Sequence, residues 1–171
     1  DLLNQIEVGV LAIPCNSSHH WYAQMTERSR APIIHIAQAC VAAIPEAPQA
    51  RIAVLATRGA LVSGFYQAAL QARGLEFMVP NAHGVQNHVD TCIKAIKGGD
   101  MRNGTAALNE ALAAMASAGA TAAILGCTEL PVAARAATPT SMALIDSSLE
   151  LARATVAYAL DKGWNQPTWH S

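Results

Sequence analysis

The chain has 171 residues, 52 % of them hydrophobic and only 13 % charged, with a formal net charge of −1 at pH 7. That composition excludes an intrinsically disordered chain, and the near-zero charge leaves no electrostatic basis for binding nucleic acid or an anionic membrane surface. A small molecule or another protein is the expected partner, and roughly 70 % of the unfolded surface of a chain this size can be buried.

In chain order, Asp1 to Glu7 lacks the basic start of a secretory signal. The apolar run Val8 to Ile13 predicts a buried strand, and Ser17 to Arg28 a helix with Trp21 and Met25 on one face. Ile33 to Ile36, opened by Pro32, predicts a short strand, followed by a helix to Ile44. Pro45-Glu46-Ala47-Pro48 is the candidate hinge. Arg51 to Ala56 predicts a strand, Thr57-Arg58-Gly59 a turn, and Leu61 to Ala72 a helix stopped at Gly74. Glu76 to Val79 predicts a weak strand before Pro80, Val85 to Lys97 a helix ended by Gly98-Gly99, and Asn103 to Ser117 a long helix ended at Gly119. Ala122 to Leu125 predicts a strand, Pro131 to Ala136 a short helix and Met142 to Ile145 a last strand. Ser147-Ser148-Leu149-Glu150 has the capping-box spacing that starts a helix through Leu160. The alanine-rich stretch Ala106 to Leu125 is broken by Asn109, Glu110, Ser117, Gly119 and Thr121, short of the ~18–20 apolar residues of a membrane span.

Short apolar strands alternating with helices predict an α/β fold with parallel sheets, because each crossover is helical. Four strands fall after the Pro-rich segment and two before it. The expected organisation is two lobes: residues 1–48 as a first, incomplete lobe completed by a helix at 148–162, and residues 49–147 as a second, with 163–171 as a tail. Unpartnered edges in the two-strand lobe predict self-association, a homodimer being the expected form.

Two of the four cysteines occupy equivalent places. Cys15 ends the first apolar run and is followed by Asn16-Ser17-Ser18-His19; Cys127 ends Ala122 to Gly126 and is followed by Thr128-Glu129. A thiol at the C-terminal end of a strand and at a helix start lies where open α/β sheets bind ligands and where a thiolate is stabilised. Cys40 and Cys92 fall in helical patterns and are read as core residues. No C-x-x-C pair is present, which fits a reducing, cytoplasmic setting. His19-His20 are adjacent and so point apart on a helix, and no metal site is read from them.

Pro14-Cys15-Asn16-Ser17-Ser18-His19 resembles the P-C-N-T-A-H motif of aspartate racemases, and Gly126-Cys127-Thr128-Glu129-Leu130-Pro131 resembles their G-C-T-E-L-P motif. Pro32 to Ile36, Leu55-Ala56-Thr57, Ser63 to Gln67 and Leu144-Ile145-Asp146 follow in the same order. The resemblance is to the aspartate/glutamate racemase superfamily. It implies two flavodoxin-like lobes with one cysteine from each facing across a cleft, no cofactor (pyridoxal phosphate in particular), and a small acidic amino acid as substrate. By the same resemblance Asn16, Ser17 and Thr57 would hold the substrate and Lys97 would lie near its acidic group, while Thr128, like Asn16 and Ser17, is suitably placed to bind the substrate by stabilising the charge that develops on it. Ala60 and Ser18 depart from the motif residues of such enzymes, and the strand, Gly-rich loop and Arg that precede the first motif in them have no counterpart, so a truncated first lobe with impaired activity is the expectation.

Racemisation removes the α-proton from one face and returns it to the other, so it needs one base on each face. A free thiol has a pKa of about 8.5. A helix N-terminus contributes roughly 0.3–2 kcal/mol, enough to bring such a thiol only near neutrality, so His19 and Glu129 are the expected activating neighbours of Cys15 and Cys127. The resulting expectation is a cofactor-independent racemase interconverting D- and L-aspartate or glutamate. The alternatives are a hydantoin racemase or maleate-type isomerase on the same scaffold, and a non-catalytic remnant that binds a small acid or a partner.

Overall fold

The computed structural model describes residues 2–45, 50–81 and 83–164. The Pro-rich segment after Pro45 and the tail beyond Trp164 lie outside the described residues. The chain runs α1 (Leu2–Gln5), β1 (Leu11–Ala12), a 3-10 helix (Asn16–Trp21), α2 (Tyr22–Arg28), β2 (Ile33–Ile34) and α3 (Ile36–Ala42), then β3 (Arg51–Ala56), α4 (Arg58–Ser63), α5 (Phe65–Ala72), β4 (Glu76–Met78), α6 (Val85–Lys97), α7 (Met101–Ser117), β5 (Ala122–Gly126), α8 (Glu129–Ala134), β6 (Ala143–Asp146) and α9 (Ser147–Asp161). Every strand pair is parallel, in a two-stranded sheet β1-β2 and a four-stranded sheet of order β4-β3-β5-β6. The α/β class with parallel sheets is therefore the observed one. Among the described residues no helix is long and apolar enough to cross a membrane.

The four-stranded sheet is covered on both sides, and the alternation of its central strands shows how. Ala53, Leu55, Ala123 and Leu125 point into a core shared with α6, α7 and α8, through Val89, Cys92, Leu108, Leu112 and Leu130. Ile52, Val54, Ala56, Ala122 and Ile124 point the other way, onto Cys40 and Val41 of α3 and Tyr66 and Leu70 of α5. Both Cys40 and Cys92 are core residues, as read from their helical patterns. α9 touches β1 and β2 as well as β5 and β6, and also packs on α3, so it joins the two sheets.

The two-stranded sheet departs from its expected form. Instead of a buried six-residue strand, β1 is two residues long, Leu11 half-buried and Ala12 exposed. With a single partner strand, its other face opens on a groove of about 520 Å³ lined by Leu2, Leu3, Leu11, Ile13, Met25 and Ile33. Trp21, expected on one helix face with Met25, is 55 % exposed and stands where the 3-10 helix passes directly into α2.

Two helix starts also differ. Thr57-Arg58-Gly59 is not a free turn: the Thr57 hydroxyl accepts the Ala60 N–H at 3.2 Å and starts α4 at Arg58. Gly64, at φ 72°, then breaks the single helix expected over Leu61 to Ala72 into α4 and α5. At α9 the cap is Asp146, whose carboxylate accepts from the Ser148 and Leu149 N–H groups at 2.9 and 3.1 Å. Ser147 is thereby released from capping and points into the interior.

Candidate active site

β3 and β5 lie side by side in the register Ala56↔Gly126, so the residues that follow, Thr57 and Cys127, leave the sheet together at its C-terminal edge. Open α/β sheets bind ligands at this edge. Gly126 is required by close approach: a Cβ there would stand 3.0 Å from the Ala56 Cβ, 3.1 Å from Tyr66 Cε2 and 3.2 Å from the Leu55 carbonyl.

Cys127 is buried, and its thiol donates to Glu129 Oε2 at 2.8 Å. The Thr128 hydroxyl donates to the same oxygen at 3.1 Å, and Lys97 Nζ stands 3.8 Å from Oε1. Burial first, and then the Glu129 carboxylate that accepts its proton, push the Cys127 thiol up to about 12. At that value on the order of 10⁻⁵ of it is ionised at pH 7. The expected activation toward neutrality is corrected here: α8 is only six residues long, and desolvation with an adjacent anion outweighs its dipole. For Glu129, burial opposes ionisation, but the Cys127 thiol, backbone N–H, Thr128 and Lys97 together outweigh it and hold the carboxyl below its ordinary value. The resting pair is thus a thiol beside a carboxylate.

Cys15 is exposed and sits at the head of the 3-10 helix in extended conformation. The two following N–H groups, of Asn16 and Ser17, open that helix and have no intrahelical acceptor. The Ser17 hydroxyl is 3.0 Å from the Thr57 hydroxyl, which docks the Cys15 loop on the edge that carries Cys127. His20 adds a second tie through Nδ1 to Ser63 Oγ at 2.9 Å.

His19 does not touch the Cys15 thiol. Its Nε2 accepts the Ile36 N–H at 3.2 Å, so the proton is on Nδ1, which donates to the Cys15 carbonyl at 3.1 Å. Burial lowers its pKa below 6.5 and keeps it neutral. It therefore holds the backbone of Cys15, and the expected activation of that thiol by His19 is replaced by orientation of the loop.

Asn16 is likewise turned inward, only 3 % exposed. Its Oδ1 accepts from the Tyr66 hydroxyl and its Nδ2 donates to Ser147 Oγ at 3.0 Å. What Asn16 offers a ligand is its backbone N–H. Ser17 and Thr57 thus gather around Cys15, and Thr128, Glu129 and Lys97 around Cys127. Lys97 is 62 % exposed and reaches the group only through Glu129.

The model of the Asp/Glu/hydantoin racemase family matches residues 2–155. The chain belongs to that family. It is 32 % identical over 155 residues to the broad specificity amino-acid racemase RacX of Bacillus subtilis (strain 168), covering 91 % of this chain and 66 % of the relative. Among solved structures it is similar to the aspartate racemase of Picrophilus torridus, with 20 % identity, a TM-score of 0.77 and coverage of 92 % of this chain and 65 % of that one. It is also similar to the glutamate racemase isoform RacE1 of Bacillus anthracis, with 23 % identity, a TM-score of 0.75 and coverage of 95 % and 62 %. At these identities the structures establish the shared fold. The chain spans about two thirds of the length of these relatives.

In this family member sequence reasoning missed three buried polar side chains behind the edge. Tyr66 and Ser147 both bond Asn16, and Gln86 holds the Ala56 carbonyl at 3.0 Å and Asp90 Oδ1 at 2.8 Å. Tyr66 carried a signal in the matching Ser63-to-Gln67 segment. Ser147 was masked by its capping-box spacing, and Gln86 by lying inside a regular helical pattern.

Proposed function

We propose that this site interconverts the enantiomers of a small acidic amino acid, aspartate or glutamate, by proton transfer between Cys15 and Cys127, the two thiols supplying the chemistry without a cofactor. The observation that supports this reading best is the buried Cys127 thiol donating to an ionised Glu129, on the sheet edge to which the loop of a second, exposed thiol is bonded. In this reading residues 1–48 with 148–162, and residues 49–147, form the two sides that bracket the substrate.

The α-proton leaves one face to the Cys15 thiolate, and Cys127, protonated at rest, delivers its proton to the opposite face. For the other enantiomer the roles reverse, and Cys127 must first pass its proton to Glu129, which already accepts it in a hydrogen bond. Lys97 facing Glu129 tunes that transfer, and its exposed ammonium is the group this reading assigns to the acidic end of a substrate. The N–H groups of Asn16 and Ser17, with the Thr57 hydroxyl, are the donors for the α-carboxylate and for the charge that develops on it as the proton leaves, while the Thr128 hydroxyl spends its proton on Glu129.

The reading is tested by incubating the protein in D₂O with each enantiomer of aspartate and glutamate, and with neutral amino acids and a hydantoin as further arms. Chirality is followed by chiral chromatography and α-deuterium by mass spectrometry. Racemisation with deuterium incorporation is expected for an acidic amino acid. A folded protein that neither racemises nor exchanges any of them would sink the proposal, and turnover of the hydantoin alone would move the assignment to that substrate.

A further inference from the structure

Tyr66 and Ser147 belong to neither cysteine motif, yet each bonds Asn16 and reaches the end of β5 that leads into Cys127. Tyr66 is fully buried; its hydroxyl donates to Asn16 Oδ1, and its ring edge fills the space that a side chain on Gly126 would need, with Cε2 3.1 Å from that Cβ position. Ser147, also fully buried, donates from Oγ to the Leu125 carbonyl at 2.8 Å and accepts from Asn16 Nδ2 at 3.0 Å. The residue directly after Cys15 is thus tied to the two residues directly before Cys127 by two separate links.

The direction of each bond is determined. Tyr66 has one hydroxyl proton and spends it on Asn16, so the Cys40 thiol, 3.8 Å away, donates to the Tyr66 oxygen. Ser147 spends its one proton on Leu125 and can only accept from Asn16. The Asn16 amide therefore has one orientation that satisfies both neighbours, and turning it over would break both bonds in a buried place, where unmade hydrogen bonds are most costly. The Tyr66 ring edge, the Ala56 Cβ and the Leu55 carbonyl together close the space beside Gly126.

We propose that Tyr66 and Ser147 are positioning residues that set the spacing and mutual orientation of the Cys15 and Cys127 thiols, Tyr66 as a rigid spacer between Asn16 and Gly126 and Ser147 as the tie that holds Asn16 against it. This rests on the two-thiol reading above. Transfer across the two faces of one carbon requires both sulfurs within reach at once, and a displacement of about 1 Å costs on the order of 10²-fold in rate. Spacing set by one packed aromatic ring is stiffer than spacing set through two separate loops.

The test uses the full chain with Tyr66→Leu, Tyr66→Phe, Ser147→Ala and Gly126→Ala, each checked for folding by circular dichroism and thermal melting. The first readout is cross-linking of Cys15 to Cys127 by bis-maleimides of graded span, mapped by peptide mass spectrometry; exposed Cys15 reacts first and presents the second maleimide to Cys127. The wild type is expected to prefer one span, and Tyr66→Leu and Ser147→Ala to shift or broaden that preference, while Tyr66→Phe, which keeps the ring, shifts it least. The second readout is the ratio of α-deuterium incorporation to racemisation, expected to rise at least 10-fold in Tyr66→Leu and Ser147→Ala, because a misplaced pair still removes and returns a proton on one face. A merely structural role lowers both rates together and leaves the ratio unchanged.

Folded variants with the wild-type span preference and ratio overturn the proposal; should the buried, protonated Cys127 resist cross-linking at every span in the wild type, the exchange-to-racemisation ratio decides alone, and an unchanged ratio overturns it. Should Tyr66→Leu fail to fold, Ser147→Ala and Tyr66→Phe, which remove single hydrogen bonds and little volume, decide the matter. If the wild type cross-links at one span but neither exchanges nor racemises any amino acid, the racemase reading fails and the span shift alone judges the spacer.

Discussion

The two cysteine motifs read alike in sequence and stand in opposite surroundings. Cys127 follows a strand buried along its whole length, is itself buried, and has its proton held by Glu129. Cys15 follows a two-residue strand at the surface, is exposed, and is held only through its backbone and its neighbours, by His19, Asn16 and Ser17. A shared local pattern thus sets where each thiol leaves its strand, while the layers packed behind that strand set its chemistry. One thiol is prepared to give a proton, and the other is open to solvent and to reagents.

The comparison breaks first, if it is to break, on the thiols themselves. Cys15→Ser and Cys127→Ser are each expected to lower racemisation by 10³-fold or more, since a hydroxyl is a far weaker acid and base than a thiol; full racemisation by either single variant would remove that cysteine from the scheme. Next in size is reactivity. Iodoacetamide at pH 7.5 should modify Cys15 at least 10²-fold faster than Cys127, because only thiolate reacts and Cys127 is both buried and pushed up to about 12. Equal rates by peptide mass spectrometry would show that the two environments do not differ as described.

Glu129→Gln sharpens the contrast. It removes the proton acceptor and should cost about 10–10² in kcat with a smaller change in KM. Without the neighbouring anion the Cys127 pKa should fall from about 12, so its alkylation begins at lower pH than in the wild type. Unchanged alkylation against pH would mean that burial alone raises this thiol.

Stability against pH should be lost at the two ends through different groups. Cys127 and Cys40 are held up at about 12 and Cys92 at about 11, mainly by burial. Groups whose folded pKa is raised contribute fully below the unfolded value near 8.5 and lose that contribution as pH rises toward the folded one. The loss should reach about 2 kcal/mol for each buried thiol by pH 10. His19 and His35 are shifted the other way, His35 to about 4, chiefly by burial. Their neutral forms are favoured in the fold, so stability falls as pH drops below about 6.5 and the unfolded chain takes up protons. Solvent screening limits this to roughly 1 kcal/mol for His35. Denaturant melts from pH 5 to pH 10 check both ends, and Cys92→Ala should flatten only the alkaline side. A profile flat at either end would contradict the assignment of that end to these groups.

Much of the fold was legible locally. The helix Val85–Lys97 and the strand Arg51–Ala56 lie where the apolar period and the flanking glycines place them, and Ala122–Gly126 runs one residue beyond its predicted end. Each is governed by neighbours a few positions away, which a sequence displays directly. The parallel pairing follows from helical crossovers, and the paired Cys15 and Cys127 motifs were visible for the same reason, as strand ends followed by residues that begin a helix.

Protonation states, side-chain directions and spacing were decided by tertiary structure. His19 turns away from the thiol four residues before it because Ile36 offers an N–H across 17 positions. Asn16 faces inward because Tyr66 and Ser147 arrive from 50 and 131 residues away. Cys127 loses its water to helices α6 and α8, and that loss outweighs the favourable helix start that its sequence offers. Desolvation and buried hydrogen bonding depend on which distant segments fill the space around a group, and local sequence carries no record of them.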